Sequence, residues 1–199
     1  MTLKQKSTTP IYQKVKAAVR SAEAKISGEI VPVIVESSGR YIVANYRASM
    51  VLATLVFLMI IVFDRYFPAL AVYDPLSILA IVLLGGGVGG LIPIVLPQAK
   101  RALLSQGHLD RVTRQRAETI FLEEEVFNTR HRTGIMIFLS LFEHEVIVMA
   151  DRGISKVVDQ KTWDKLVADL VTMIGKGKMI DGLESAIDQC GHVLLDKGF

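Results

Sequence analysis

Glu143, Glu145, Asp151 and Asp159 flank short apolar runs, and the ends of strands are where an α/β sheet usually keeps its site. A calcium ion wants six or more oxygens and magnesium a near-octahedral set. Asp151, Asp159 and Glu143 could supply two or three of them for calcium or magnesium. Such a cation could activate a bound water. Exposed turn carboxylates, with Asp159 as a helix N-cap, account for the same residues without a cation, and this simpler reading is preferred.

The other reactive side chains form weaker patterns. His108, His131, His144 and His192 show no metal-ligand spacing such as HExxH. His131 lies between Arg130 and Arg132, a neighbourhood that favours anions, so this trio is a candidate for a phosphate or a lipid headgroup. Cys190, the single cysteine, falls on an apolar helical stripe and reads as a buried thiol. It excludes a disulfide framework and any Cys-rich metal module. Ser21, Ser27 and Ser140 have no G-x-S-x-G context, which leaves a serine hydrolase unsupported.

The elements that must position these groups include two that are not ordinary globular ones. The chain of 199 residues is 51% hydrophobic and 22% charged, with the apolar content concentrated. No charge interrupts Ala48 to Phe63 or Leu76 to Leu96. About 20 apolar residues cross the ~30 Å of a bilayer, so spans of about 48–67 and 76–96 are expected to form a transmembrane hairpin over 48–97. No cleavable signal peptide is expected, because the first run follows a charged segment with patterns of its own. In the second run GGGVGG stacks Gly85 over Gly89 and Gly86 over Gly90, small-xxx-small pairs that allow close packing within the hairpin or between protomers. No GK[ST] follows to make a phosphate loop.

Charge sets the expected orientation. Residues 1–47 carry eight Lys/Arg against three Glu, and Lys100, Arg101, Arg111, Arg114 and Arg116 follow the second span, whereas the hairpin loop has only Arg65. Positive flanks stay inside, so both termini are expected on the cytoplasmic side of a bacterial inner membrane, as a multi-pass protein. The net +3 is accounted for by basic segments facing anionic lipid, and no nucleic-acid partner is implied.

The remaining sequence reads as one α/β domain cut in two, 10–47 plus 98–195. Thr9 can cap a helix beginning at Pro10, with Ile11, Val15, Ala18 and Ala22 as its stripe and Gly28 as its end. Residues 29–35 read as a strand in which Pro32 argues for an edge or a bulge. Residues 100–125 read as one helix, and 135–141 and 146–150 as a β-hairpin with a sheet covered on both faces. Trp163, Leu166, Val167, Leu170 and Ile174 stripe one helix; Leu183, Ala186, Ile187, Cys190 and Leu194 stripe another after a loop from Gly175 to Gly182. Neither half has strands enough for a sheet alone. The expected fold class is α/β: a small βαβ-type sandwich of three or four strands flanked by helices, interrupted by a two-helix transmembrane hairpin.

SGEIVPVIVESS at 27–38, RTGIMIFLSLFEHEVIVMADRGI at 132–154, the Trp-bearing helix and the loop ending Asp181-Gly182-Leu183 together resemble the TPM domain. That family is named for a thylakoid lumen protein, a photosystem II repair protein and a nematode receptor-associated protein. The chain is most similar to its bacterial membrane-anchored branch, where a transmembrane hairpin splits the domain after the first strand. The resemblance implies a βαβ-type sandwich and, for some relatives, divalent-cation binding and acid phosphatase activity; others are assembly, repair or receptor-accessory factors. Relatives typically carry Gly-Tyr-Gly-Leu-Glu where this chain has Asp151-Arg152-Gly153-Ile154-Ser155, so the acidic last position is Ser155 here. Asp159 falls where relatives often place an Asp.

Two functions compete on these grounds. The leading expectation is a membrane-anchored, non-enzymatic interaction or assembly module whose partners are membrane lipid and further copies of itself or another membrane complex. The alternative is a metal-dependent acid phosphatase acting through carboxylates near Asp151 and Asp159. A transporter would need polar groups within the spans, where Ser49, Thr54 and Ser77 are a poor supply.

Overall fold

The computed structural model describes residues 10–67 and 72–199, without the side chains of residues 10–12. In chain order the elements are α1 (Pro10–Glu23), β1 (Glu29–Val35), α2 (Ile42–Tyr66), α3 (Pro75–Val95), α4 (Pro97–Ala102), α5 (Gln106–Glu123), β2 (Gly134–Ser140), β3 (Glu145–Ala150), α6 (Arg152–Ser155), α7 (Gln160–Gly175) and α8 (Met179–Asp196). The protein is mixed α/β and divides into two compact units. One is discontinuous, residues up to Ser38 with Asp110–Phe199; the other is Gly39–Leu109. The expected cap Thr9 and residues 68–71 of the hairpin loop lie outside the described residues.

The discontinuous unit is built on a three-stranded sheet in the order β1-β2-β3. β1 runs parallel to β2, from Glu29 opposite Gly134 to Val35 opposite Ser140. β2 runs antiparallel to β3, from Ile135 opposite Ala150 to Ser140 opposite Glu145. Every residue of β2 is buried, as a central strand covered on both faces requires. Period-two alternation sorts its side chains. Ile135, Ile137 and Leu139, with Ile30, pack with Val15 of α1, Trp163 and Leu166 of α7 and Ile187 of α8. Met136 and Phe138, with Val33 and Val35, pack with Ala117 and Ile120 of α5.

Pro32 has a clear reason for its place. Glu29 N donates to Thr133 O, so odd-numbered β1 residues bond β2 and even-numbered ones turn outward. The missing donor of Pro32 therefore falls on the open edge, where nothing is lost.

Three sequence expectations need correction. α1 ends at Glu23, not at Gly28. Gly28 is instead a close-approach glycine: a Cβ there would sit 2.6 Å from Thr133 O. The chain turns into β1 with Glu23 Oε1 accepting from Ile30 N at 3.1 Å. Burial pushes the Glu23 carboxyl above its usual range, with the Ile30 bond opposing. The single helix expected over 100–125 is two, because Pro97 starts a short α4 that breaks before Gln106. Gly182 lies inside α8, not in a loop, and its bare Cα lets Met173 of α7 come close.

The second unit centres on α2 and α3, of 25 and 21 residues, both long and apolar enough to cross a membrane. Asp74 caps α3, its Oδ2 accepting from Ser77 N at 2.8 Å and Ser77 Oγ at 2.7 Å, and Pro75 takes the first helical position, which tolerates a missing N–H. The unit is longer than the 48–97 read from the uncharged runs, for two reasons. α2 begins before its apolar stretch, and the chain after α3 returns to its base: Arg47 Nη1 donates to Leu103 O at 2.8 Å, and Tyr41 meets the His108 ring edge-on at 6.0 Å.

Candidate functional site

The three carboxylates that could have shared a cation are not all together. Glu143 lies in the turn that joins β2 to β3, whereas Asp151 follows β3 and its N–H bonds Gly134 O, at the far end of β2. At about 3.3 Å per residue, the seven residues of β2 hold them roughly 20 Å apart. Among the described residues no three His, Cys, Asp or Glu side chains stand where one metal ion could be held. The grouping Asp151, Asp159 and Glu143 therefore does not fit calcium or magnesium, and no catalytic step follows through one.

Each of the three has a local role. Asp151 is 6% exposed and caps α6, its Oδ1 accepting from Arg152 N at 2.7 Å. Its Oδ2 has no hydrogen-bond partner, with Arg132 Nη1 at 3.8 Å. Ser155, in the position where the resemblance expected an acid, turns its hydroxyl back onto the Ala150 and Asp151 carbonyls. Asp159 occupies the expected N-cap position of α7, without a side-chain cap bond.

The Arg130-His131-Arg132 segment is held by its backbone. Arg132 adopts φ +55°, and Gly153 comes so near that a Cβ would lie 2.5 Å from both the His131 and Arg132 carbonyl oxygens. The Arg132 guanidinium lies 5.5 Å from the centre of the Phe127 ring as well as beside Asp151. Arg130 and His131 are exposed.

At the opposite end of the sheet is a polar cluster that the sequence did not suggest. Glu143 is 1% exposed. It accepts from Ser38 N at 2.8 Å, from Ser37 Oγ at 3.3 Å and from Ser140 Oγ, while the Ser38 and Ser140 hydroxyls bond each other at 2.8 Å. The carboxylate thus ties the end of β1 to the β2–β3 turn across more than a hundred residues of sequence. Nearby, burial pushes the Glu145 carboxyl above its usual range; a Thr113 hydrogen bond opposes this, and the Asp110 and Glu143 carboxylates add to it. Glu145 Oε2 is buried without a hydrogen-bond partner. Glu145 was visible as a turn acid, but Asp110 and Thr113, on α5, carry no sequence signal that links them to it.

The four packing glycines lie against α2. A Cβ on Gly89 would come within 2.7 Å of Ala48 O and 2.8 Å of Leu52 Cβ; on Gly85, within 2.8 Å of Val56 Cγ2; on Gly86, 3.3 Å from Ser49 Oγ; on Gly90, 3.7 Å from Asn45 O. Gly87 faces open space. The outward faces remain apolar and bare: Met50 is 76% exposed, Leu84 70% and Val95 75%.

This architecture defines a mixed α/β protein carrying a two-helix insertion of membrane-spanning character. No family model matches the chain, and no curated protein matches its sequence. Among solved structures it is similar to the NMR structure of the BA42 protein from the psychrophilic bacterium Bizionia argentinensis, with a TM-score of 0.51 and 17% identity over 96% of this chain and 86% of that one. At that identity the likeness concerns the fold.

Proposed function

We propose that the chain is a membrane-anchored interaction module of the TPM type, held in a bacterial inner membrane by α2 and α3 with both termini cytoplasmic. The observation that carries this is the hairpin itself. Its helices satisfy each other along the glycine step and leave wide apolar outer faces, a pattern suited to lipid and costly in water. The insertion interrupts the connection between the parallel strands β1 and β2, with α5 completing the crossover. This supports reading the discontinuous unit as a βαβ-type sandwich. The basic flanks support the orientation, and a second copy or another membrane complex is the partner we favour.

The phosphatase alternative has less support, because among the described residues no three His, Cys, Asp or Glu side chains stand where a cation near Asp151 and Asp159 could be held. The test is gentle solubilisation of native membranes, followed by mass analysis of what co-purifies and a phosphate-release assay on the same sample. A stoichiometric companion without phosphate release is expected. Recovery of the chain alone, with phosphate release abolished by Asp151→Ala, would overturn the proposal.

A further inference from the structure

The two edges of the sheet are not alike. On β1 the outward-turned positions include Pro32, which cannot donate and so discourages another strand from pairing. On β3 no such guard exists. Asp151 N bonds Gly134 O, so even-numbered residues of β2 face β3. By the register, Glu145, Ile147 and Met149 are then tied to β2, and Val146 and Val148 turn their N–H and C=O groups outward. β3 reads EVIVMA, half-buried throughout, with no Lys, Arg or Pro. An apolar edge of this kind is a ready template for one more strand.

The space beside this edge is a groove of about 850 Å³. Trp163, Val167 and Val171 of α7 form one wall, and Asp110, Arg111 and Arg114 of α5 form the other. Because the helices stand on either side of the edge, a second copy approaching edge to edge would bring wall against wall before the strands could pair. A single extended segment meets no such obstacle. Its side chains would alternate, one set toward the apolar α7 wall and the other toward α5.

Charge selects among such segments. Glu145 projects toward α5, where Thr113 and Asp110 are its neighbours, and its buried Oε2 lacks a partner. Asp164, which accepts from Gln160 Nε2 at 3.0 Å, adds a carboxylate at the groove; of the two arginines on the α5 wall, Arg114 is paired with Glu118 at 3.2 Å, so three carboxylates, at 110, 145 and 164, stand against Arg111. A Lys or Arg on the α5-facing side of the incoming strand would meet the half-buried Glu145 carboxylate that lines the groove.

We infer that the β3 edge binds an extended peptide segment of a partner protein by strand addition, pairing with Val146 and Val148, with aliphatic residues toward α7 and a basic residue toward Glu145. Main-chain bonds supply the affinity and the alternating pockets the specificity. This rests on the interaction-module reading and names the class of partner.

The test uses the full chain in lipid nanodiscs and two labelled probe peptides, Val-Lys-Val-Thr-Val and Val-Glu-Val-Thr-Val, followed by fluorescence anisotropy and hydrogen exchange. The lysine peptide is expected to bind at least tenfold more tightly than the glutamate peptide, and Glu145→Gln to remove most of that difference. The Val146 and Val148 amides should slow at least tenfold on saturation while those of Ile147 and Met149 stay unchanged. Val148→Pro removes an outward donor but no β2–β3 bond, and should abolish binding. Should it fail to fold, Val171→Glu, on the exposed α7 wall, should weaken both peptides. Binding of neither peptide with unchanged amide exchange overturns the inference. So does protection of Val146 and Val148 that rises with protein concentration alone, which would assign the edge to a second copy. A companion from native membranes that persists with Val148→Pro and Val171→Glu would sink the groove but leave the interaction module standing, whereas an unaltered chain that is recovered as a monomer with no companion would sink the module itself.

Discussion

Replacing single glycines of α3 by alanine should separate packing from helix propensity, because the positions share one helix but face different surroundings. Alanine is favoured over glycine in a helix interior by about 1 kcal/mol. At Gly87 nothing lies within 4 Å of an added Cβ, so Gly87→Ala should keep that gain. At Gly89 the methyl would sit 2.7 Å from Ala48 O and 2.8 Å from Leu52 Cβ. One is backbone and the other a Cβ, so neither can swing away, and the helices must part by several tenths of an ångström. Overpacking of this kind costs typically 1–3 kcal/mol. Since the propensity gain is common to both, Gly89→Ala should be less stable than Gly87→Ala by about 1–3 kcal/mol, a factor of roughly 5 to 150 in the equilibrium. Gly90→Ala, whose Cβ would be 3.7 Å from its nearest neighbour, should behave like Gly87→Ala. The assay is SDS-driven separation of α2 from α3 in mixed micelles, followed by energy transfer between dyes at Tyr46→Cys and Val95→Cys in a Cys190→Ala background. If Gly89→Ala resists SDS as well as Gly87→Ala, the reasoning from the α2–α3 contact is wrong.

Three further outcomes follow from the discontinuous unit. Burial pushes the Cys190 thiol up to about 12, so it should resist maleimide at pH 8 in the folded protein and react fully once unfolded, as mass spectrometry would read. Glu145 has its carboxyl raised, so its contribution favours the fold at acid pH and is lost as pH rises through the raised value; Glu145→Gln should therefore gain stability relative to the parent as pH increases from the acid side to neutrality, checked by denaturant unfolding at several pH values. Glu143→Ala leaves Ser38 N and the Ser140 hydroxyl without their buried acceptor and should cost about 1–3 kcal/mol, measured as a shift in unfolding midpoint that Glu143→Gln partly restores.

Local patterns carried much of the architecture. Uncharged runs announced α2 and α3, β-branched runs announced the strands, and the odd-even bonding of β1 explains why a proline could stand in it. What escaped was set by contacts distant in sequence. The serines at 37 and 38 meet Glu143 across more than a hundred residues, and nothing in their own neighbourhoods marks them. The carboxylates at 143, 151 and 159 looked like a group because they are close in sequence, but an antiparallel hairpin sends its turn and its exit to opposite ends of a strand. Glycine spacing, likewise, could not say which helix would fill the step; the Cβ distances from Gly85 and Gly89 to α2 do.

The most direct test of the account is the sidedness of the chain around α2 and α3. In a Cys190→Ala background, single cysteines at Glu36, Tyr73 and Lys197 would be treated with a membrane-impermeant maleimide in intact and in lysed bacterial spheroplasts. Tyr73→Cys, in the loop between the helices, should label in intact spheroplasts. Glu36→Cys and Lys197→Cys should label only after lysis. Labelling of all three positions from one side, or the reversed pattern, would contradict a membrane-crossing hairpin with a cytoplasmic α/β unit.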